Sequence, residues 1–534
     1  MLKVIENIRQ GEKIIQKVFC TVGVAKNQQE LESLERVAKV KIVEALNDRV
    51  PALPGMETEA HGLISDSPVK REKHVVDLKD IREEKRINLG VEDVFGGVYS
   101  QMDIEDVIVG TRKDLEWNSL LKQVILARLF DPSSKKKASD AVLKDLNQEI
   151  PVEKIYRMMD HLVPLEEQIK TKVFQSSMSL LDFEVDVLFF DVTTLYFESF
   201  TPDELRAFGF SKDCKFKETQ IVLALVTNNR GVPLTYEIFP GNQSEGKTLI
   251  EIVKKIKANY TIKNVVMVAD RAMFTEANLS LLEQEGIHYV VAAKLKAMKR
   301  SVHGEILGNS FCPFNGWVKD FVVENRRLIV SYSVDRAKND YKQRKRLVDR
   351  LLKKAKDGKI PIKALINNHG TKKYIEVSGD NASINESKIL ADSQWDGIHG
   401  VITNYSKEDK TASEILERYK GLWKIEEVFR INKHDLKMRP IYHWKPERIR
   451  AHILICFLAY TLLNTAKEIL EKNSISLSVA ELRNEVAKRQ ASIIRDRRSQ
   501  RRYFVPANFT VTQKRIYQAF RLPTVETVQP LFNS

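Results

Sequence analysis

The stretch that decides the fold is VLFFDVTTLYFES, residues 187–199. Its first four residues form an apolar run, which is typical of a buried strand, and the run stops at Asp191. A carboxylate at the end of a core strand is either a solvated strand end or a ligand held at the rim of a sheet. Thr193 and Thr194 follow it. One of them could orient Asp191 or contact a phosphate, and the alternative is that they pack on the strand face.

The segments after Asp191 predict an α/β domain. Strands are predicted at 219–228, 233–241, 263–270 and 288–294, and helices at 246–260 and 275–286. Alternation of strands and helices at the end of this order predicts parallel pairing. The nearly continuous apolar character of the strands predicts helices on both faces of the sheet.

A second apolar strand, VVMVAD, ends on Asp270. In an open sheet, ligands bind beyond the carboxyl ends of parallel strands. If the two strands are neighbours, Asp191 and Asp270 project from one edge, and shared divalent cations offset their repulsion. Two matched strands therefore favour a cation site over two solvated strand ends.

A long helical pattern over 412–436 supplies a third acidic residue, Glu426. Tyr419, Leu422, Glu426 and Lys433 are three, four and seven residues apart, so they share one helix face. A glutamate among Tyr419, Leu422 and Trp423 is expected to be partly desolvated, and it then needs a cation or a basic partner. The alternative is a surface helix with scattered charge.

The composition indicates a soluble, basic protein. Of the 534 residues 43% are hydrophobic and 30% charged, and the formal net charge is +14. This charge favours a polyanionic partner, most often nucleic acid, over a merely basic soluble protein. Segments 342–359 and 483–502 carry concentrated Lys and Arg at helical spacing, so each is either a helix lying along phosphates or a solvated surface helix.

The chain is expected to be cytoplasmic. The longest apolar stretch, 451–463, is too short for a bilayer span and predicts a buried helix. The start lacks the apolar segment of a signal peptide. The four cysteines lie far apart, which argues against a disulfide framework or a zinc site.

Changes of pattern predict six regions. Residues 1–110, of unclear role, contain a helical pattern at 28–50 and a polar connection at 51–68. Residues 111–180 form a helical region that is a candidate for DNA binding. The α/β core is divided into two parts, 181–299 and 396–471, and the segment between them, 300–395, is a β-rich insertion with a hairpin at 317–334. A basic C-terminal tail follows at 472–534.

Together these motifs resemble the DDE transposases of bacterial insertion sequences, in the branch with the signature Y-x2-R-x3-E-x6-K. DVTTLYFES matches the first motif, and GVPLTYEIFPGN (231–242) and VADRAMFTEANL (268–279) match the second region. YKGLWKIEEVFRINK matches the signature at Tyr419, Glu426 and Lys433. Leu422 occupies the arginine position, and Arg430 and Lys420 are the candidates to replace that cation.

The resemblance implies an RNase H-like core with a β-rich insertion. It also implies that Asp191, Asp270 and Glu426 hold two Mg²⁺ or Mn²⁺ ions for cleavage and strand transfer of DNA. Tyr419 and Lys433 would hold the DNA backbone. Asn242 would place a strand end or serve as a turn residue, and Trp423 would stack on a base or, more in keeping with its type, pack in the core.

The implied partners are double-stranded DNA, as terminal inverted repeats and target, and a second copy of the chain in a homodimer on DNA. Three alternatives stay open. They are a catalytically silent, transposase-derived DNA-binding protein, a stand-alone metal-dependent nuclease, and a generic basic scaffold. The paired Asp-terminated strands argue against the scaffold, and all three acidic residues argue against a silent protein.

Overall fold

The structure is a computed structural model of the chain. It describes residues 2–10, 13–23, 34, 38, 77–108, 111–181, 187–198, 201–209, 218–243, 245–259, 266–269, 275–308, 311–354, 360–361, 371–378 and 381–531. Two compact units divide at Leu78. In the first unit, Met1–Leu78, two strands form an antiparallel hairpin. The helical pattern predicted at 28–50 lies outside the described residues, apart from 34 and 38.

The described strands, in chain order, are β1 (Leu2–Gln10), β2 (Lys13–Gly23), β3 (Ile81–Asn88), β4 (Val187–Tyr196), β5 (Gln220–Asn228), β6 (Pro233–Pro240), β7 (Val266–Ala269), β8 (His288–Ala292), β9 (Val318–Val323), β10 (Arg326–Tyr332), β11 (Ile360–Pro361), β12 (Ile375–Ser378), β13 (Asn381–Ile384), β14 (Ile398–Thr403), β15 (Gln490–Asp496), β16 (Arg502–Pro506) and β17 (Gln529–Leu531).

The described α-helices of five or more residues are α1 (Gly97–Gln101), α2 (Arg112–Phe130), α3 (Val152–Leu162), α4 (Glu166–Leu181), α5 (Glu245–Asn259), α6 (Glu276–Gln284), α7 (Arg300–Leu307), α8 (Val334–Leu352), α9 (Glu386–Ser393), α10 (Ala412–Lys420), α11 (Trp423–Arg430), α12 (Pro446–Lys472), α13 (Val479–Lys488) and α14 (Val511–Ala519). Single π-helical turns precede α1, follow residue 137 and follow α11.

The main sheet has the strand order β6-β5-β4-β7-β8-β14-β10-β9. The strands β4, β5 and β6 pair antiparallel, whereas β7 and β8 run parallel to β4. A three-strand meander with two parallel strands added beside its first strand is the RNase H-like arrangement, so the expected fold class is confirmed. The strands and helices predicted from residue 219 to residue 294 are each present where the structure describes them.

One expectation about β4 was wrong, because the strand does not end at Asp191. Parallel pairing with β7 stops at Phe190 opposite Ala269, but antiparallel pairing with β5 continues to Tyr196 opposite Gln220. Buried Val192 and Leu195 keep the strand in the core beyond the carboxylate. Asp191 therefore marks the end of the parallel pairing rather than the end of the strand.

The hairpin predicted at 317–334 is present as β9 and β10. Glu324 and Asn325 form its turn, both with positive φ, as a tight hairpin turn requires. The hairpin extends the main sheet, because β10 pairs with β14, which in turn pairs with β8. The rest of the segment between β8 and β14 adds α7, α8, α9 and a separate sheet of order β11-β13-β12.

Alternating side chains of β4 enter two hydrophobic cores on opposite sides of the sheet. Val187 and Phe189 pack in a large core that contains most of α12, whereas Leu188 and Phe190 pack in a second core with α5 and α6. The helices therefore cover both faces, as predicted. Helix α12 is long and apolar enough to cross a membrane, but 89% of its most apolar window is buried within the protein. The buried helix predicted at 451–463 is confirmed.

The helical region predicted between 111 and 180 is also confirmed, with a break at 131–134. The helix considered over 483–502 was wrong beyond Lys488. From Gln490 the chain forms β15, which pairs with β3 and with β16 in a sheet of order β17-β16-β15-β3. Its β-branched pair Ile493 and Ile494 suits a strand once β3, which lies far away in the sequence, is available as a partner.

Candidate functional site

Asp191 is half-buried on the face of β4 that also carries Phe189 and Thr193. Its Oδ1 accepts a hydrogen bond from the backbone N–H of Val192 at 2.7 Å. This bond orients one of the two carboxylate oxygens. Directly opposite on β5 stands Leu225, which belongs to the large core, so the carboxylate lies at the edge of an apolar surface.

The helical segment with the predicted signature begins at a capping box. Thr411 accepts a hydrogen bond from the backbone N–H of Glu414, whose side chain accepts from the backbone N–H of Thr411. Helix α10 ends at Lys420, and α11 starts at Trp423 after a turn at Gly421 and Leu422. A Cβ built on Gly421 would lie 2.5 Å from Cζ of Phe189, so the glycine allows the turn to contact β4 directly.

A second contact joins this segment to β4 at its other end. The Lys433 ammonium donates a hydrogen bond of 2.5 Å to Oγ1 of Thr193. Phe189, Asp191 and Thr193 lie on one face of the strand, since they are two residues apart. The contacts of Gly421 and Lys433 therefore bracket Asp191 on β4, and on the helical segment they bracket Glu426.

Glu426 is exposed and makes no hydrogen bond or ion pair with any residue that the structure describes. The expectation that it is partly desolvated was wrong, because Trp423 points away from the core and is 56% exposed. The core packing predicted for Trp423 was wrong for the same reason: buried Ile425, Val428 and Phe429 form the apolar face of α11 instead. Glu426 is thus a solvated carboxylate at the margin of that face.

The neighbouring glutamate, Glu427, has a different environment. It lies 3.6 Å from the Arg430 guanidinium, which also lies 3.2 Å from Asp435. Arg430 is therefore engaged by two carboxylates. Of the two cations proposed to replace the signature arginine, Lys420 is exposed without a partner among the described side chains, so it is the more available. Leu422, at the arginine position itself, is buried.

Tyr419 contacts β14, and Asn242 follows β6. The Tyr419 ring packs edge-on against His399 of β14, with ring centroids 5.0 Å apart. Burial, with the positive charge of Arg336, lowers the pKa of His399 to about 4, so this imidazole is neutral at pH 7. Asn242 is exposed in the turn after β6, which the strand registers place beyond Leu195.

Asp270 follows β7 directly and lies outside the described residues. Its predecessor Ala269 stands opposite Phe190, the residue before Asp191. Among the described residues no group of three His, Cys, Asp or Glu side chains forms a metal site. The oxygen donors at hand nevertheless suit a hard divalent cation, since Asp191 is a half-buried carboxylate and Glu426 is a carboxylate with no counter-ion among the residues that the structure describes.

Two features of this site escaped the sequence-based prediction. Gly421 was not singled out, although a glycine inside a helical pattern often marks a close approach of the backbone. The role of Thr193 as an acceptor for Lys433 was also missed, since 240 residues separate the two. Thr194, on the opposite face, is buried with no hydrogen-bond partner for its hydroxyl among the described residues, which fits a packing role.

Comparison with known proteins gives one family match. A family model described as a transposase DDE domain matches residues 183–462. No curated protein matches the chain. Among solved structures, the chain is similar to a piggyBac transposase synaptic complex with hairpin DNA, at 9% identity and a TM-score of 0.38, over 82% of this chain and 80% of that one. It is also similar to a Mos1 transposase paired-end complex with the left transposon end, at 12% identity and a TM-score of 0.15, over 33% of this chain and 57% of that one.

Proposed function

Because the chain belongs to the DDE transposase family, whose domain model matches more than half of its length, we propose that it cleaves the ends of a bacterial insertion sequence and joins them to target DNA. One observation carries the proposal for this particular chain. The signature segment contacts β4 on both sides of Asp191, at Phe189 and at Thr193, and Glu426 lies between those two contacts. Such docking brings an acidic residue 235 positions away in the sequence to the strand that bears Asp191.

The residues proposed to hold two Mg²⁺ or Mn²⁺ ions are Asp191, Asp270 and Glu426. When bound, such ions supply Lewis acidity to the phosphodiester and lower the pKa of a water or a 3′-hydroxyl. Asp191 contributes a carboxylate oriented by the Val192 N–H. Glu426, which has no counter-ion among the described residues, provides a negative charge that is free to take up a cation.

Lys433 has two tasks in this proposal. Its bond to Thr193 holds the end of the signature segment against β4. Its positive charge also lies two residues along the strand from Asp191, where it favours the approach of a phosphate to an acidic site. Tyr419, which packs against His399 of β14, would hold the DNA backbone near the scissile bond together with Lys433.

The proposed partners follow from the charge and the family. A formal net charge of +14 favours a polyanion, and double-stranded DNA supplies it as the inverted repeats of the element and as target. Joining two ends in one event calls for two copies of the chain, so a homodimer on DNA is proposed. The site of action would be the nucleoid in the bacterial cytoplasm.

The test is cleavage of a plasmid that carries the gene with its flanking DNA, in Mg²⁺ and in Mn²⁺. Asp191→Asn, Asp270→Asn and Glu426→Gln should each abolish cleavage while DNA binding survives, because each removes a metal-binding charge and little volume. Glu427→Gln is the matched control, since this residue points about 100° away on the helix and is engaged by Arg430. It should keep most of the activity.

Two outcomes would contradict the assignment. Robust metal-dependent cleavage by any of the three acidic variants would remove that residue from the site. Equal loss in Glu426→Gln and Glu427→Gln would show that the wrong glutamate was chosen. Cleavage without joined products would favour a stand-alone nuclease, and binding without cleavage by the wild type would favour a silent DNA-binding protein.

A further inference from the structure

A basic pocket lies outside the candidate site, between the break after α2 and the segment that leads into α12. Its volume is about 560 Å³. Its lining contains two histidines, His443 and His452, and five lysine or arginine side chains, namely Arg128, Lys135, Lys136, Lys137 and Lys437. No carboxylate of the described residues lines it. Lys137 is paired with Asp131, which lies outside the pocket at 2.8 Å, and the other four basic side chains have no carboxylate partner among the described residues.

Lys135 is the most unusual of these cations. It is only 4% exposed, and it makes no hydrogen bond or ion pair with any residue that the structure describes. Burial, together with the nearby charge of Arg128, lowers its pKa well below the usual lysine range. A buried ammonium without a counter-ion is costly, and the lowered pKa reflects that cost, so an anion that enters the pocket stabilises the charged form of Lys135.

Two other donors in the same lining have no partner among the described residues. They are the Arg128 Nε and the Ser133 hydroxyl, and both atoms are buried. The Arg128 guanidinium is held in place by bonds from its terminal nitrogens to the carbonyl oxygens of Leu436, at 2.7 Å, and Ser133, at 3.0 Å. A fixed guanidinium, an ammonium and a hydroxyl together match the several acceptor oxygens of a phosphate.

We propose that the basic pocket binds a phosphate group, and that this phosphate belongs to the backbone of the DNA on which the chain acts. The phosphate chemistry stands on the pocket alone, whereas the assignment to DNA rests on the proposed function.

Two observations favour DNA over a free phosphate. Tyr442 lines the pocket and is 63% exposed, so an aromatic face is available to a nucleotide base at the rim. The segment that leads into α12 also contacts β4, the strand that bears Asp191. The Arg439 guanidinium in this segment lies 5.4 Å from the centre of the Tyr196 ring at the end of β4.

The first experiment measures phosphate binding by thermal unfolding of the full chain, in inorganic phosphate and in chloride at equal ionic strength. Phosphate should raise the unfolding temperature of the wild type but not of Lys135→Met, which keeps the length of the side chain and removes its charge. In chloride, Lys135→Met should unfold at a higher temperature than the wild type, because the uncompensated charge is gone. The control is Lys144→Met, an exposed lysine outside the pocket, which should respond to phosphate as the wild type does.

The second experiment measures affinity for a short duplex of mixed sequence over a range of salt concentrations. Losing one phosphate contact should weaken binding about tenfold and reduce the slope of log K against log salt by about one. Lys135→Met should show both effects and Lys144→Met neither. If Lys135→Met does not fold, the exposed rim variant Lys136→Gln with Lys437→Gln takes its place, with the same expectations.

The outcomes separate this proposal from the proposed function. The pocket is overturned as a phosphate site if phosphate raises the unfolding temperature of the wild type and of Lys135→Met equally, or raises neither. If phosphate protects the wild type but not Lys135→Met against thermal unfolding, and both bind DNA with the same affinity, the assignment to DNA is overturned. Weaker DNA binding by Lys135→Met supports the pocket even if the wild type fails to cleave DNA, since binding is measured without cleavage.

Discussion

Gly421→Ala tests whether the contact between the signature segment and β4 positions Glu426. The backbone of Gly421 has φ −68° and ψ −12°, which alanine adopts freely, so the perturbation is purely steric. The added Cβ would lie 2.5 Å from Cζ of Phe189. Ordinary carbon–carbon contacts begin near 3.5 Å, so the turn and the strand must separate by about 1 Å.

The expected effects on activity and on stability differ in size. A displacement of about 1 Å at a catalytic constellation costs on the order of 100-fold in rate. Overpacking destabilises by about 1–3 kcal/mol, and the better helix propensity of alanine offsets up to about 1 kcal/mol of that. Gly421→Ala should therefore remain folded and bind DNA, yet cleave it about 100-fold more slowly in a single-turnover assay with saturating protein.

Two further variants test whether the loss of rate comes from the clash with Phe189. Phe189→Leu in the Gly421→Ala background removes the ring atoms that clash, so it should restore much of the lost rate, and the coupling between the two sites is read from a double-mutant cycle. Gly304→Ala, a helical glycine with nothing within 4 Å of a built Cβ, is the control and should cleave normally. Cleavage by Gly421→Ala within twofold of the wild type would refute the positioning role, as would a Phe189→Leu variant that restores nothing.

Two further predictions concern stability. Lys170 is 1% exposed and donates to the Tyr236 carbonyl at 2.9 Å and to Glu237 at 3.1 Å, so Lys170→Met should lower the free energy of unfolding in urea by about 3 kcal/mol. Lys172→Met, which breaks an exposed pair with Asp106, should change the free energy of unfolding far less, and equal effects of the two variants would contradict the burial argument. Burial, with the charges of Lys135 and Arg448, lowers the pKa of His443 to about 3 from 6.5. The unfolded chain therefore takes up this proton first, and stability should fall as the pH drops from about 6.5 towards 3. His443→Gln should reduce that slope in pH-dependent unfolding, and an unchanged slope would show that other groups set it.

The order of strands and helices in the core could be predicted because each element carries its own signal. The apolar runs of β4, β5 and β7 and the turn at Gly231 are local patterns that need no knowledge of partners. The end of β4 could not be predicted in this way, since pairing with β5 carries the strand past a charged residue. The pairing of β3 with β15 could likewise not be predicted, because the two strands lie about 400 residues apart in the sequence.

The candidate site shows the same division. Helical spacing was sufficient to place Tyr419, Glu426 and Lys433 along one segment, but the spacing says nothing about which residue meets which strand. Lys433 reaches Thr193, whereas Tyr419 reaches His399 on β14, so one predicted face serves two parts of the sheet. The basic pocket could not be predicted for a related reason. Three consecutive lysines at 135–137 suggest a solvated surface, and Lys135 is buried only because residues from 437 to 452 pack around it.

Charged side chains of both signs lack a partner among the described residues, at two separate places, and this separation bears on the proposed function. At β4, Glu426 is an anion with no counter-ion among the described residues, although its neighbour Glu427 has Arg430. In the basic pocket Lys135 is a buried lysine with no anionic partner among the described residues. A chain that only had to fold would gain by giving Lys135 a carboxylate partner, since an uncompensated buried charge destabilises the folded state, whereas the solvated Glu426 gains little from pairing. Keeping them apart makes sense if two ligands complete them, divalent cations at the acidic site and backbone phosphates at the pocket, and a metal-dependent enzyme acting on DNA encounters both together.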